Sequence, residues 1–97
     1  MIRHIVFWDL KECPEAAAHA AEIKAASPML ESIPGVLSVE VSIEPEPTTT
    51  VCAKVVLQSA HETPEDLAAY AVHPTHLEFA KLIKAYCEKR QALDYRI

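Results

Sequence analysis

The sequence predicts an α+β fold in one domain spanning residues 1–97, a four-stranded antiparallel sheet with helices on one face. Three observations predict it. Apolar and polar side chains alternate every second residue at both ends of the chain and again after Pro34. Segments with helical spacing lie between those strands. The 97 residues also hold a single glycine, Gly35. A phosphate-cradling loop or a dinucleotide fingerprint needs two or three glycines close together, so both are excluded.

The first strand comes at once. Ile2, His4, Val6 and Trp8 alternate with Arg3, Ile5 and Phe7, a strand over 2–8 buried at least partly on both faces. Pro14 opens an Ala-rich helical segment running to Ile33, with Ile23, Ala26, Leu30 and Ile33 on one stripe. Ser27-Pro28 interrupts it, and a kink or a restart is expected there, Ser27 suiting a cap and Pro28 a first helical position. Ile33-Pro34-Gly35 ends the segment. Over 36–44, Leu37, Val39, Val41 and Ile43 are expected on one face and Ser38, Glu40, Ser42 and Glu44 on the other. Pro45–Thr50 is a turn, and Val51–Gln58 reads as the third strand. Thr63-Pro64-Glu65-Asp66 starts a helix with a cap, a proline at the first position and acids on its positive end. His73-Pro74 breaks that helix near residue 72. A last helix covers about 75–87, and residues 90–97 alternate as the fourth strand.

This order, β-α-β-β-(αα)-β, is the ferredoxin-like pattern. With helices on one face, the other carries Ser38, Glu40 and His4 beside apolar residues. A second copy of the chain is the expected cover.

Charge narrows the function classes. Nine Lys and Arg against fourteen Asp and Glu give a net charge of −5, with no basic cluster, so neither nucleic acid nor an anionic membrane is an expected partner. Apolar runs fall far short of a membrane span. Met1–Asp9 begins in a strand pattern without a signal-peptide layout. Cys13, Cys52 and Cys87, odd in number and widely spaced, read as reduced thiols in a cytoplasmic protein, with Cys52 and Cys87 as core residues. His61-Glu62 reads as solvated loop, so the third strand offers no histidine to a pocket.

Chemistry concentrates elsewhere. His76 heads the stripe Phe79, Ala80, Ile83, Tyr86 and Cys87, which points it inward. His73 and Tyr70 precede it at intervals of three. Asp94 lies mid-strand beside the first strand, where it can face His4 and orient its imidazole. One reading is a pocket in which a histidine moves a proton while a tyrosine hydroxyl polarises a carbonyl. The other makes His76 a helix-start residue satisfied by backbone, His73 a cap, Tyr70 a core ring and Asp94 an ion-pair partner of Arg3 or Arg90. His4, His73, His76 and Asp94 are also suitable metal-ligand types, but their spacing fits no local zinc motif.

Ile2-Arg-His-Ile-Val-Phe7, Ile33-Pro-Gly-Val36 running into Val39-Glu-Val41, Tyr70-x-x-His-Pro-x-His76 and Asp94-Tyr95 resemble the Dabb family, the stress-responsive dimeric α/β-barrel domains, over essentially the whole chain. The resemblance implies a homodimer whose two sheets form one barrel. It extends distantly to plant polyketide cyclases of the olivetolic acid cyclase type, which implies cofactor-free and metal-free aldol chemistry. His76 and Tyr70 are then the catalytic pair, His4, His73 and Asp94 the supporting or substrate-binding residues, and a small carbonyl or aromatic compound the ligand. Two other functions remain open: a ligand-binding or structural module whose barrel is filled by Trp8, Phe7 and Leu57, and a cofactor-free monooxygenase.

Overall fold

The computed structural model describes residues 1–97. Along the chain run β1 (Ile2–Leu10), α1 (Ala16–Ala26), a 3-10 turn (Ser27–Ser32), β2 (Val36–Ser42), β3 (Val55–His61), α2 (Pro64–Val72), α3 (Pro74–Tyr86) and β4 (Cys87–Arg96). The strands pair antiparallel in the order β2-β3-β1-β4, the ferredoxin-like arrangement. The sheet is open within one chain, with β2 and β4 at its edges.

Alternation in β1 decides where the core lies. Ile2, His4, Val6 and Trp8 are buried, and Arg3, Ile5 and Phe7 are half-buried on the opposite face. β3 repeats the pattern: Trp8 lies opposite Val55, Val6 opposite Leu57, His4 opposite Ser59 and Ile2 opposite His61. Ile23 and Leu30, together with Phe79 and Ile83 of α3, pack onto Val6, Val55 and Leu57. Each such aliphatic or aromatic side chain contributes about 1.5–3 kcal/mol when fully buried. The helices are therefore held on the face that carries His4.

That placement corrects the expectation for His4, which lies under the helices and not on the open face. The open face carries Arg3, Ile5 and Phe7 beside Gln58, Leu93 and Tyr95, and the Arg3 guanidinium donates to Gln58 Oε1 at 3.0 Å. The third strand is Val55–His61 rather than Val51–Gln58. Val51 and Cys52 lie in bends before it, and Cys52 is an exposed thiol, not a core one. His61 is a fully buried strand residue rather than a loop residue. In β2 a register shift between Val36 and Ser38 bulges the strand and turns Leu37 out to 51 % exposure, so Val36 packs on the core in its place.

The helix interruption at Ser27-Pro28 tightens into a 3-10 turn instead of restarting an α-helix. Ser27 Oγ donates to the Lys24 carbonyl at 2.8 Å and so caps no new helix. The start of α2 forms as read, with Asp66 N donating to Thr63 Oγ1 at 3.1 Å. Gly35 enters β2 at φ +85°, in the left-handed region that glycine reaches without a Cβ penalty. No helix of the protein is long and apolar enough to cross a membrane.

Candidate functional site

The break between α2 and α3 builds one wall of the site. His73 precedes Pro74 in extended geometry, ending α2 and capping α3: its Nδ1 accepts from Thr75 N at 3.1 Å. This leaves Tyr70 at the end of one helix and His76 at the start of the next, with ring centroids 4.5 Å apart. Carbonyls in the last turn of a helix lack intrahelical partners, and the one on Ala71 is 3.1 Å from His76 Nδ1. A carbonyl can only accept, so Nδ1 carries the hydrogen and Nε2 keeps its lone pair.

The sheet supplies the opposite wall. His4 Nδ1 donates to Asp94 Oδ1 across the β1–β4 pair. The carboxylate takes the Nδ1 hydrogen and so holds the orientation of the ring. His61 sits on the same face, its ring centroid 4.8 Å from that of Tyr70. Its Nε2 is 2.8 Å from Ser59 Oγ, while its Nδ1 is buried without a partner. A lone pair is cheaper than an N–H in that position, so Nε2 donates to Ser59.

Burial sets the protonation of the cluster. Desolvation is the largest influence on both His76 and His61 and pushes both below the ordinary imidazole value; His4 adds to this in each case. For His76 the hydrogen bond to Ala71 acts the other way, and Arg90 assists the lowering. Tyr70 is pushed up to about 12, chiefly by burial and with an opposing influence from Ser59, so its hydroxyl stays protonated. Near neutral pH the site therefore holds a basic nitrogen beside a hydrogen-bond donor.

His4, Tyr70, His76 and Arg90 line both lobes of one cleft. The inner lobe, about 120 Å³, is walled by Trp8, Leu57, Phe79 and Ile83. The outer lobe, about 340 Å³, reaches Leu67 and Asp94. Four of the five expected site residues, His4, Tyr70, His76 and Asp94, thus meet here. His73 does not line the cleft; its ring is used as a helix cap. No three His, Cys, Asp or Glu side chains converge in the manner of a metal site.

Sequence reasoning missed His61 and Arg90. Carrying the two-residue alternation of Val55, Leu57 and Ser59 one step further identifies His61. Arg90 is set by a bulge: β1 places Trp8 alone between Phe7 and Asp9, whereas β4 places both Lys89 and Arg90 between Gln91 and Glu88. Lys89 takes φ +57°. Glycine is the residue that ordinarily marks such a turn in a sequence, and none is present there.

A family model described as Stress responsive A/B Barrel Domain (Dabb) matches residues 2–97. A comparison with curated proteins finds no match. Among solved structures, a dimeric protein of unknown function and ferredoxin-like fold from Bacteroides fragilis is 27 % identical, with a TM-score of 0.87 over 99 % of this chain and 95 % of that one. A Dabb family protein with a ferredoxin-like fold from Mesorhizobium loti is 23 % identical, with a TM-score of 0.75 over 99 % and 95 %. A candidate antibiotic biosynthesis monooxygenase from Nitrosomonas europaea is 18 % identical, with a TM-score of 0.76 over 100 % and 98 %.

Proposed function

Since the chain belongs to the stress responsive A/B barrel domain family, we propose that it is a homodimer whose cleft binds a small carbonyl compound and moves a proton on it without a cofactor. His76 is the general base and Tyr70 the hydrogen-bond donor; His4, oriented by Asp94, supports them. The observation that carries this reading is the bond from His76 Nδ1–H to the Ala71 carbonyl, which leaves Nε2 basic beside Tyr70.

In the step, His76 Nε2 removes a proton α to the carbonyl. Charge then develops on the carbonyl oxygen, where the Tyr70 hydroxyl stabilises it. Internal attack of that enolate on a second carbonyl is an aldol closure. His73 contributes by holding the start of α3, which carries His76.

Exchange of the α-protons of 4-phenyl-2-butanone in D2O, followed by NMR, tests the reading. The protein is expected to accelerate exchange, and His76→Ala and Tyr70→Phe each to remove about 10²-fold or more of the acceleration. Equal exchange with the wild type and His76→Ala sinks the proposal. A ligand-binding module without turnover is the second reading, favoured by the small inner lobe. It expects the ketone to bind without accelerated exchange.

Pairing is proposed through the open sheet face. Leu93 and Tyr95 are exposed there beside the half-buried Ile5 and Phe7, and the Bacteroides fragilis relative is dimeric. Light scattering at micromolar concentration is expected to give a two-subunit mass; a monomer refutes it.

A further inference from the structure

The inner lobe has a charge character at odds with the chain around it. The protein as a whole carries −5, yet the lobe is lined by Lys84 and Arg90 and by no Asp or Glu. Arg90 takes part in none of the chain's ion pairs, which join His4 to Asp94, Lys81 to Glu78 and Lys89 to Asp9. A guanidinium at the wall of an apolar pocket is suited to a planar anion, to which it can donate two parallel hydrogen bonds.

The backbone that carries Arg90 points the same way. Trp8 lines the lobe with its buried ring. Trp8 also stands opposite Lys89 and Arg90 at the β4 bulge, where Lys89 is held at φ +57°. Strained bulges of this kind re-aim a neighbouring side chain beside a site. The lobe thus combines the Arg90 guanidinium, an apolar slot of Leu57, Phe79 and Ile83, and Tyr70 and His76, which it shares with the outer lobe.

From these features we propose that the inner lobe takes the carboxylate of an anionic ligand, with Arg90 as its donor and the apolar slot, walled by the Trp8 ring, around its body. The proposal rests on the cleft being the functional pocket and narrows its ligand class to carbonyl compounds that bear a carboxylate. Lys84 adds positive potential without a fixed geometry.

Trp8 is the only tryptophan, so its indole N–H gives one assignable NMR signal and its fluorescence reports the lobe directly. Benzoate and benzamide, nearly isosteric and differing in charge, are the probes. Benzoate is expected to shift the Trp8 indole signal and to bind at least about tenfold more tightly than benzamide. Arg90→Met should abolish that preference while leaving benzamide binding intact, and Arg90→Lys should keep part of it. Arg90 is exposed on an edge strand, so these variants are expected to fold, which the dispersion of the same spectra verifies. Equal binding of the two probes, a preference surviving Arg90→Met, or one removed by Lys84→Met alone overturns the assignment while leaving the pocket reading standing. If neither probe perturbs Trp8 or His76, both fail.

Discussion

Replacing Gly35 with alanine should be among the most damaging single changes in the protein, for two separable reasons. The first is conformational. Gly35 sits at φ +85°, where an L-residue loses about 1–2 kcal/mol. The second is steric. A Cβ built on Gly35 falls 2.7 Å from Asp66 Cγ and 2.8 Å from Asp66 Cβ and Oδ1. A rotamer change can move the carboxylate, but the Asp66 Cβ is fixed to α2, so the helix must shift. Overpacking of that order costs about 1–3 kcal/mol. The sum, roughly 2–5 kcal/mol, corresponds in a domain of this size to a Tm lower by about 10–25 °C. Thermal unfolding followed by circular dichroism reads the total, and a double-mutant cycle with Asp66→Gly separates the parts. Asp66→Gly removes all three close atoms, so only the conformational cost should remain and the coupling should reach about 1–3 kcal/mol. A Tm drop below about 3 °C for Gly35→Ala, or a coupling near zero, refutes the steric argument. Asp66 also lies one helical turn before Tyr70, so the displaced helix should carry the tyrosine away from His76 and depress α-proton exchange in whatever fraction remains folded.

Four further outcomes are expected. His61 and His76 both titrate below the ordinary imidazole value of 6.5, so between that pH and their folded values the unfolded chain binds more protons. Stability is then full above about pH 6.5 and falls as the pH is lowered through the folded values; His61→Gln should flatten the Tm-against-pH curve between pH 7 and 5, and an unchanged slope contradicts the assignment. Leu30→Ala, at a fully buried position, should cost about 2–5 kcal/mol in a urea melt. Thr63→Ala removes the acceptor for Asp66 N and should cost about 1 kcal/mol by the same measurement. Cys87, buried and pushed up to about 11 by desolvation, should react with a maleimide far more slowly than the exposed Cys52 at pH 7.5; comparable labelling by mass spectrometry goes against the packing described.

The fold was legible because its evidence is local. The alternation of Ile2, His4, Val6 and Trp8, the Thr63-Pro64 helix start and the His73-Pro74 break each act within a few residues and survive into the structure. The pairing of His4 with Asp94 followed from strand order and emerged in register. What failed depends on distant partners. Val51-Cys52-Ala53 looks like the start of a strand, but β3 begins where it can meet the end of β1: Lys54 N donates to the Trp8 carbonyl at 2.8 Å and Val55 faces Trp8. Its other end is set by Ile2, which pairs with His61. The length of β1 therefore moved His61 from loop to core, and no window around residue 61 contains that information. For His73 the outcome was a contest between two uses of one ring, and the nearby Thr75 amide won it. The bulges at Leu37 and Lys89 contain no glycine to announce them.

The position of β4 at the sheet edge has a consequence for how occupancy of the cleft can be sensed. This strand carries Arg90 and Asp94, is exposed along nearly its whole length, and is tied to the sheet on one side only, through β1. Edge strands held on one side open locally at lower free energy than the strands within. A ligand bridging Arg90 to the helices across the cleft gives β4 a second anchor. The backbone amides of residues 90–96 should then exchange with deuterium more slowly when the cleft is filled, while those of β3, already held on both sides, exchange as before. The most exposed strand of the protein thereby becomes the readout of the cleft beneath its helices.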